Sequence, residues 1–135
     1  MIALPAAVRD RIVEAATEGA PEEVCGVLGG EFGADWSRVR SAYRATNVAD
    51  EPRRRYRIDP EESHELFERI EDRDEAIVGF YHSHPRGPAE PSRVDREAAA
   101  WPDRSYLLVS LEPDAEVSSW RWRDGAFERE VLALE

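Results

Sequence analysis

Two of the chain's three histidines, His82 and His84, are one residue apart, and a serine and an aspartate follow at Ser92 and Asp95. On a strand, side chains at i and i+2 share one face, with Cα atoms about 6.5–7 Å apart. Two imidazole nitrogens then converge on one zinc ion at about 2.0–2.1 Å. On a helix the same spacing turns through about 200° and the pair diverges. A catalytic zinc needs a third protein ligand, and a carboxylate such as Asp95 serves. Ser-x-x-Asp at a helix start is also an ordinary capping pattern with Ser92 as N-cap. The two readings are compatible, since the cap fixes the turn that aims Asp95. A general base would complete the site. Glu22 and Glu23 stand just before the apolar run VCGVLGG. At the mouth of a strand, either could take a proton from water and pass it to a leaving amine. The plainer reading makes both solvated loop residues.

These residues need elements to hold them. AIVGFYHSH is the strongest strand signal in the chain, stopped by Pro85, and the Pro-rich segment PRGPAEP reads as an irregular loop before a helix over SRVDREAAAW, ended by Pro102. EVCGVLGG and SYLLVSLE read as buried strands, and WSRVRSAYRATNV as a looser one. LPAAVRDRIVEAATEGAP reads as an amphipathic helix, with Pro5 at its first position, Val8, Ile12, Val13 and Ala16 on one face, and Gly19 with Pro21 ending it. PEESHELFERIEDRDE is a second helix with Leu66, Phe67 and Ile70 inward, preceded by a short extended piece holding Tyr56 and Ile58. AEVSSWRWRDGAFEREVLAL reads as a terminal hairpin turned at Asp124-Gly125. The pattern predicts one α/β domain over residues 1–135, a mixed sheet flanked by helices with a C-terminal β-hairpin.

Composition bounds the function. A chain of 135 residues with 41% hydrophobic content has enough apolar material for one packed core. The net charge of −11 argues against nucleic acid or an anionic membrane as the main partner. All 18 basic residues are Arg. An acidic, lysine-free surface fits adaptation to high salt, where screening relieves self-repulsion; a GC-rich genome that favours Arg codons is the plainer source. One cysteine, Cys25, allows no internal disulfide. No signal segment or apolar span is evident, so the expected location is the cytoplasm.

His82-x-His84, seven residues, Ser92, two residues and Asp95 together resemble the JAMM (MPN-plus) metalloprotease signature. EEVCGVLGG is similar to that family's upstream strand, and the alignment of its glutamate selects Glu23 rather than Glu22. NVADEPRRRYRIDPEE resembles the family's middle segment through Asn47, Pro52, Tyr56, Asp59 and Pro60. The resemblance implies the MPN fold, which is cytidine-deaminase-like, over roughly residues 5–135. It implies one Zn2+ per chain on His82, His84 and Asp95, with Glu23 as the base and Ser92 as a donor to the oxyanion. Ser83 and Pro85 are read as geometric.

The implied activity is hydrolysis of the isopeptide bond between a ubiquitin-like modifier's C-terminal glycine and a lysine amine. An extended Gly-Gly tail would lie along an edge strand by β-addition. A halophilic source would make that modifier an archaeal one. Arg53, Arg54 and Arg55 would meet an acidic modifier, or are simply a solvated run. The alternatives are a hydrolase that releases an amino acid from a ubiquitin-like sulfur carrier, and a non-catalytic scaffold of the same fold. The intact ligand set and Glu23 speak against a scaffold. A zinc deaminase lacks its paired cysteines here. Cys25, inside an apolar strand, reads as a buried hydrophobe and His64 as a surface residue; Trp101, Trp120 and Trp122 read as core or half-buried sheet residues.

Overall fold

The computed structural model describes residues 1–135. Eight strands form one sheet: β1 (Ile2–Leu4), β2 (Cys25–Glu31), β3 (Ser37–Ala45), β4 (Ala76–His84), β5 (Ser105–Ser110), β6 (Glu116–Arg123), β7 (Ala126–Glu130) and β8 (Leu132–Leu134). Their spatial order is β7-β6-β5-β4-β2-β3-β1-β8. The helices are α1 (Ala6–Gly19), α2 (Pro60–Glu71) and α3 (Arg93–Ala98). The expected mixed α/β layering is present.

β4 is central. It runs antiparallel to β2 and parallel to β5. Near-continuous burial from Ile77 to His84 explains why it reads as an apolar run rather than an alternating one. At Gly79 the neighbouring strand comes so near that an added Cβ would lie 1.8 Å from the Ser105 carbonyl oxygen, so only glycine lets β5 pair there.

The two faces of the sheet carry separate cores. Val8, Ile12 and Ala16 of α1 pack on Leu4, Leu28, Val39, Val78 and Leu107. Leu66 and Ile70 of α2 pack on Val27, Ile77 and Phe80, with Phe67 partly buried beside them. Each buried aliphatic side chain contributes about 1.5–3 kcal/mol. α2 starts where Asp59 accepts the Glu61 N–H at 3.1 Å with Pro60 at the first turn, a cap that stabilises by about 1 kcal/mol.

Three expectations need correction. The terminal hairpin is real at Asp124-Gly125, but it does not continue through Leu134: β7 ends at Glu130, and β8 pairs in parallel with β1 at the far end of the strand order. Val131 alone links the two ends, and its carbonyl accepts from Ile2 N–H at 2.9 Å. The sheet is therefore rolled until its ends meet. β1 and β8, three residues each, are too short to show a period. Pro5 is the N-cap of α1 rather than its first helical residue. Helix α3 ends at Ala98, well before Pro102, because Ala99 is already extended. No helix is long and apolar enough to cross a membrane.

Candidate metal centre

The end of β4 presents His82 and His84 on one face, as a strand requires, with ring centroids 5.0 Å apart. Cys25 pairs with His82 in register, which puts Glu23, two residues upstream, beside both histidines. Ser83 fastens this junction: its Oγ accepts from Val24 N–H at 2.8 Å and its own N–H donates to the Val24 carbonyl at 3.0 Å. Its reading as a geometric residue holds. The loop after Pro85 returns the start of α3 over the strand end. There Ser92 Oγ accepts the Asp95 N–H at 3.1 Å, while Asp95 Oδ2 accepts the Ser92 N–H at 2.8 Å. The cap and the aiming of Asp95 are one device.

One ligand atom from each of Glu23, His82, His84 and Asp95 lies within 4.8 Å of all the others, and all four residues are buried. His84 Nδ1 lies 3.0 Å from the Pro88 carbonyl, which only accepts, so this nitrogen carries the proton. The lone pair of Nε2 then points at Asp95 Oδ2, 3.0 Å away. Two acceptors in contact call for a proton or a cation between them. His82 Nε2 lies 3.1 Å from Asp95 Oδ1. That contact lacks hydrogen-bond geometry, and both His82 nitrogens and Glu23 Oε1 are buried without a hydrogen-bond partner. Buried polar atoms are normally satisfied. Two imidazoles and a carboxylate with free lone pairs match the donor set of a catalytic zinc site.

The electrostatics follow. Burial pushes the Glu23 carboxyl up to about 7, with the His84 charge opposing and the Asp95 charge assisting. Burial would also raise Asp95, but the imidazoles of His82 and His84 close against it, with the Ser92 N–H, hold it well below the usual carboxylate range. Burial pushes His82 down. A carboxyl poised near neutrality is suited to giving and taking protons. Glu23, His84 and Ser92 open onto a cavity of about 290 Å³, shared with Arg86, Glu90 and Pro91. The larger concavity of about 670 Å³ beside β6 and β8 contains none of the four.

The structure brings together all five residues singled out from sequence. Glu22 is exposed. Sequence reasoning assigned no role to two others. Asn47 Nδ2 donates to the Glu23 carbonyl at 2.9 Å, and the Tyr56 ring stacks on His82 at 4.4 Å. Neither role shows in periodicity, because both residues act through a loop. His64 is on the surface, beside Glu68. Cys25 is fully buried, and burial pushes its thiol up to about 12, away from thiolate chemistry.

The family model described as prokaryotic homologs of the JAB domain matches residues 5–123. The chain is 43% identical to the desampylase of Haloferax volcanii over 138 residues, spanning 99% of this chain and 96% of that protein. It is 40% identical over 114 residues to the CysO-cysteine peptidase of Mycobacterium tuberculosis, spanning 83% and 76%. A solution structure of a protein from Desulfitobacterium hafniense superposes with a TM-score of 0.90 at 30% identity, covering 100% of this chain and 93% of that one. One from Salinibacter ruber gives 0.75 at 33%, covering 100% and 92%. With a buried cluster of the metalloprotease type and relatives along nearly its whole length, the chain belongs to the prokaryotic homologs of the JAB domain and is a JAMM-type hydrolase.

Proposed function

We propose that this protein is a zinc-dependent isopeptidase that releases a ubiquitin-like modifier from a lysine amine. The observation that carries the reading is the buried cluster of Glu23, His82, His84 and Asp95, with one ligand atom of each within 4.8 Å of the others and no partner for Glu23 Oε1 or the His82 nitrogens. His82, His84 and Asp95 would hold the ion. When bound, zinc lowers the pKa of a water towards about 7 and polarises a carbonyl.

The chain's own residues do the rest. Glu23 takes the proton of the attacking water on its carboxylate and passes it to the departing lysine nitrogen as the C–N bond breaks. Ser92 uses its Oγ lone pair for the Asp95 N–H, which leaves its hydroxyl proton free to donate to the oxyanion. Such a donor stabilises the transition state by about 3–4 kcal/mol. Pro88 fixes the His84 tautomer through Nδ1. The modifier's identity is supported by the resemblance to the Haloferax volcanii desampylase.

A second reading is hydrolysis of an amino acid from the C-terminus of a ubiquitin-like sulfur carrier, favoured by the 40% identity to the CysO-cysteine peptidase. The same machinery would serve both. Cleavage of an isopeptide-linked modifier–protein conjugate, compared with a carrier bearing a C-terminal amino acid, tests the two. Chelator-sensitive release from the conjugate is expected. Release from the carrier alone would select the second reading, and release from neither would reject both.

A further inference from the structure

The segment from Pro85 to Pro91 runs from the end of β4 to the cap of α3 and makes no main-chain to main-chain hydrogen bond. Side chains hold its carbonyls instead. Ser110 of β5, buried and paired in register with His84, donates to the Gly87 carbonyl at 2.6 Å. The Glu112 carbonyl, at 3.2 Å, is its second acceptor. Ser118 of β6, also buried, donates to the Ala89 carbonyl. The direction of that bond is set from behind. Trp120 Nε1 only donates, and it gives its proton to Ser118 Oγ at 2.9 Å, which leaves the serine's own proton for Ala89.

Between the two clamped carbonyls stands Pro88, whose own carbonyl lies 3.0 Å from His84 Nδ1. The proline ring locks its φ. Gly87 before it takes a φ of 104°, a conformation that glycine adopts at little cost. With that φ locked and the carbonyl on each side held by a buried hydroxyl, the Pro88 carbonyl stays aimed at the His84 ring. An outer acceptor of this kind sets the tautomer and orientation of a metal-binding imidazole. The two serines hydrogen-bond to none of the four clustered residues, so they act on the centre only through this segment.

We propose that Ser110 and Ser118 are positioning residues of the metal centre: by clamping the carbonyls on either side of Pro88 they hold the acceptor that orients His84, and so strengthen zinc binding. The inference rests on the zinc reading of the centre.

Zinc affinity, measured by competition with a chromophoric chelator, is compared in the wild-type protein and in the double variant Ser110→Ala, Ser118→Ala. The variant is expected to bind zinc roughly 10–100-fold more weakly, the loss typical of an outer partner. Proton–nitrogen correlation spectra of the imidazoles supply a readout that a merely structural role would not move, and with three histidines in the chain each ring is assignable. The zinc-loaded wild-type protein is expected to show a His84 Nδ1 proton sheltered from water, and the double variant to lose that signal to exchange. Wild-type affinity in the variant overturns the proposal, whatever happens to its denaturation midpoint. Weaker binding with the His84 signal retained also overturns it, because the effect then does not run through that nitrogen. Should the double variant fail to fold, Gly87→Ala strains the same turn from an exposed position, where an added Cβ has nothing within 4 Å. The same two changes are expected of it, and their absence overturns the proposal. Failure of the zinc reading is seen separately, as a wild-type protein that binds no zinc. The spectra of the metal-free proteins then decide: a His84 Nδ1 proton present in the wild type and lost in the variant upholds the clamp, and identical spectra reject it.

Discussion

His84 Nε2 stands 3.0 Å from Asp95 Oδ2 while its other ring nitrogen faces the Pro88 carbonyl. A neutral imidazole held in that tautomer turns a lone pair on a carboxylate, an arrangement that a bound divalent cation would satisfy. Asp95→Asn removes the proposed anionic ligand and keeps the shape. Zinc affinity measured by competition with a chromophoric chelator is expected to fall by more than the roughly 10–100-fold typical of an outer partner. Unchanged affinity would remove Asp95 from the ligand set.

Asn47 makes five hydrogen-bond contacts, four within its own loop and one to the Glu23 carbonyl just ahead of β2. Asn47→Ala removes hydrogen bonds that are part-buried or exposed, so the expected cost is about 0.5–1.5 kcal/mol. The expected result is a lower denaturation midpoint together with a reduced kcat, because the Glu23 backbone loses one of its two ties to the loop. A variant with wild-type kcat and midpoint would show that the loop holds its place without it.

Glu130 predicts an acid sensitivity far from the metal centre. Burial would raise its carboxyl, but hydrogen bonds from Ser105, Arg121 and Ser119 outweigh it and leave the group below its ordinary value. A carboxyl lowered on folding stabilises the fold at pH values above its unfolded pKa of about 4.3, and that contribution is lost as pH falls through the folded value. Glu130→Gln also strands the buried Arg121 guanidinium, so the variant is expected to be less stable by about 3–5 kcal/mol at neutral pH. The gap should narrow below about pH 4. Thermal melts across pH check this; a constant gap would contradict it.

The net charge of −11 with Arg as the sole basic side chain predicts a melting temperature that climbs from dilute buffer into molar salt, as screening relieves repulsion. Equal stability in both would refute salt adaptation and favour codon bias.

The site was largely legible because its parts obey local rules. His82 and His84 share a face through strand geometry, and Asp95 is aimed by its own capping box with Ser92. The central strands were legible through their apolar runs. What escaped depends on distant pairing. β1 and β8 are short and gain strand character by distant pairing, β1 with β3 and β8, and β8 with β1. Asn47 and Tyr56 act through loop geometry that no period encodes. The division of labour between Glu22 and Glu23 was not readable from charge; register decides it, burying Glu23 and leaving Glu22 in solvent.

The central claim is that Glu23 is the base beside a zinc held by His82, His84 and Asp95. Its most direct test is Glu23→Gln, assayed in parallel for metal content by mass spectrometry and for turnover of an isopeptide conjugate. The account predicts one zinc per chain in both proteins and a turnover lowered by roughly 10²–10⁴-fold in the variant. A Glu23→Gln protein that cleaves at the wild-type rate, or a wild-type protein that cleaves without metal, would contradict it.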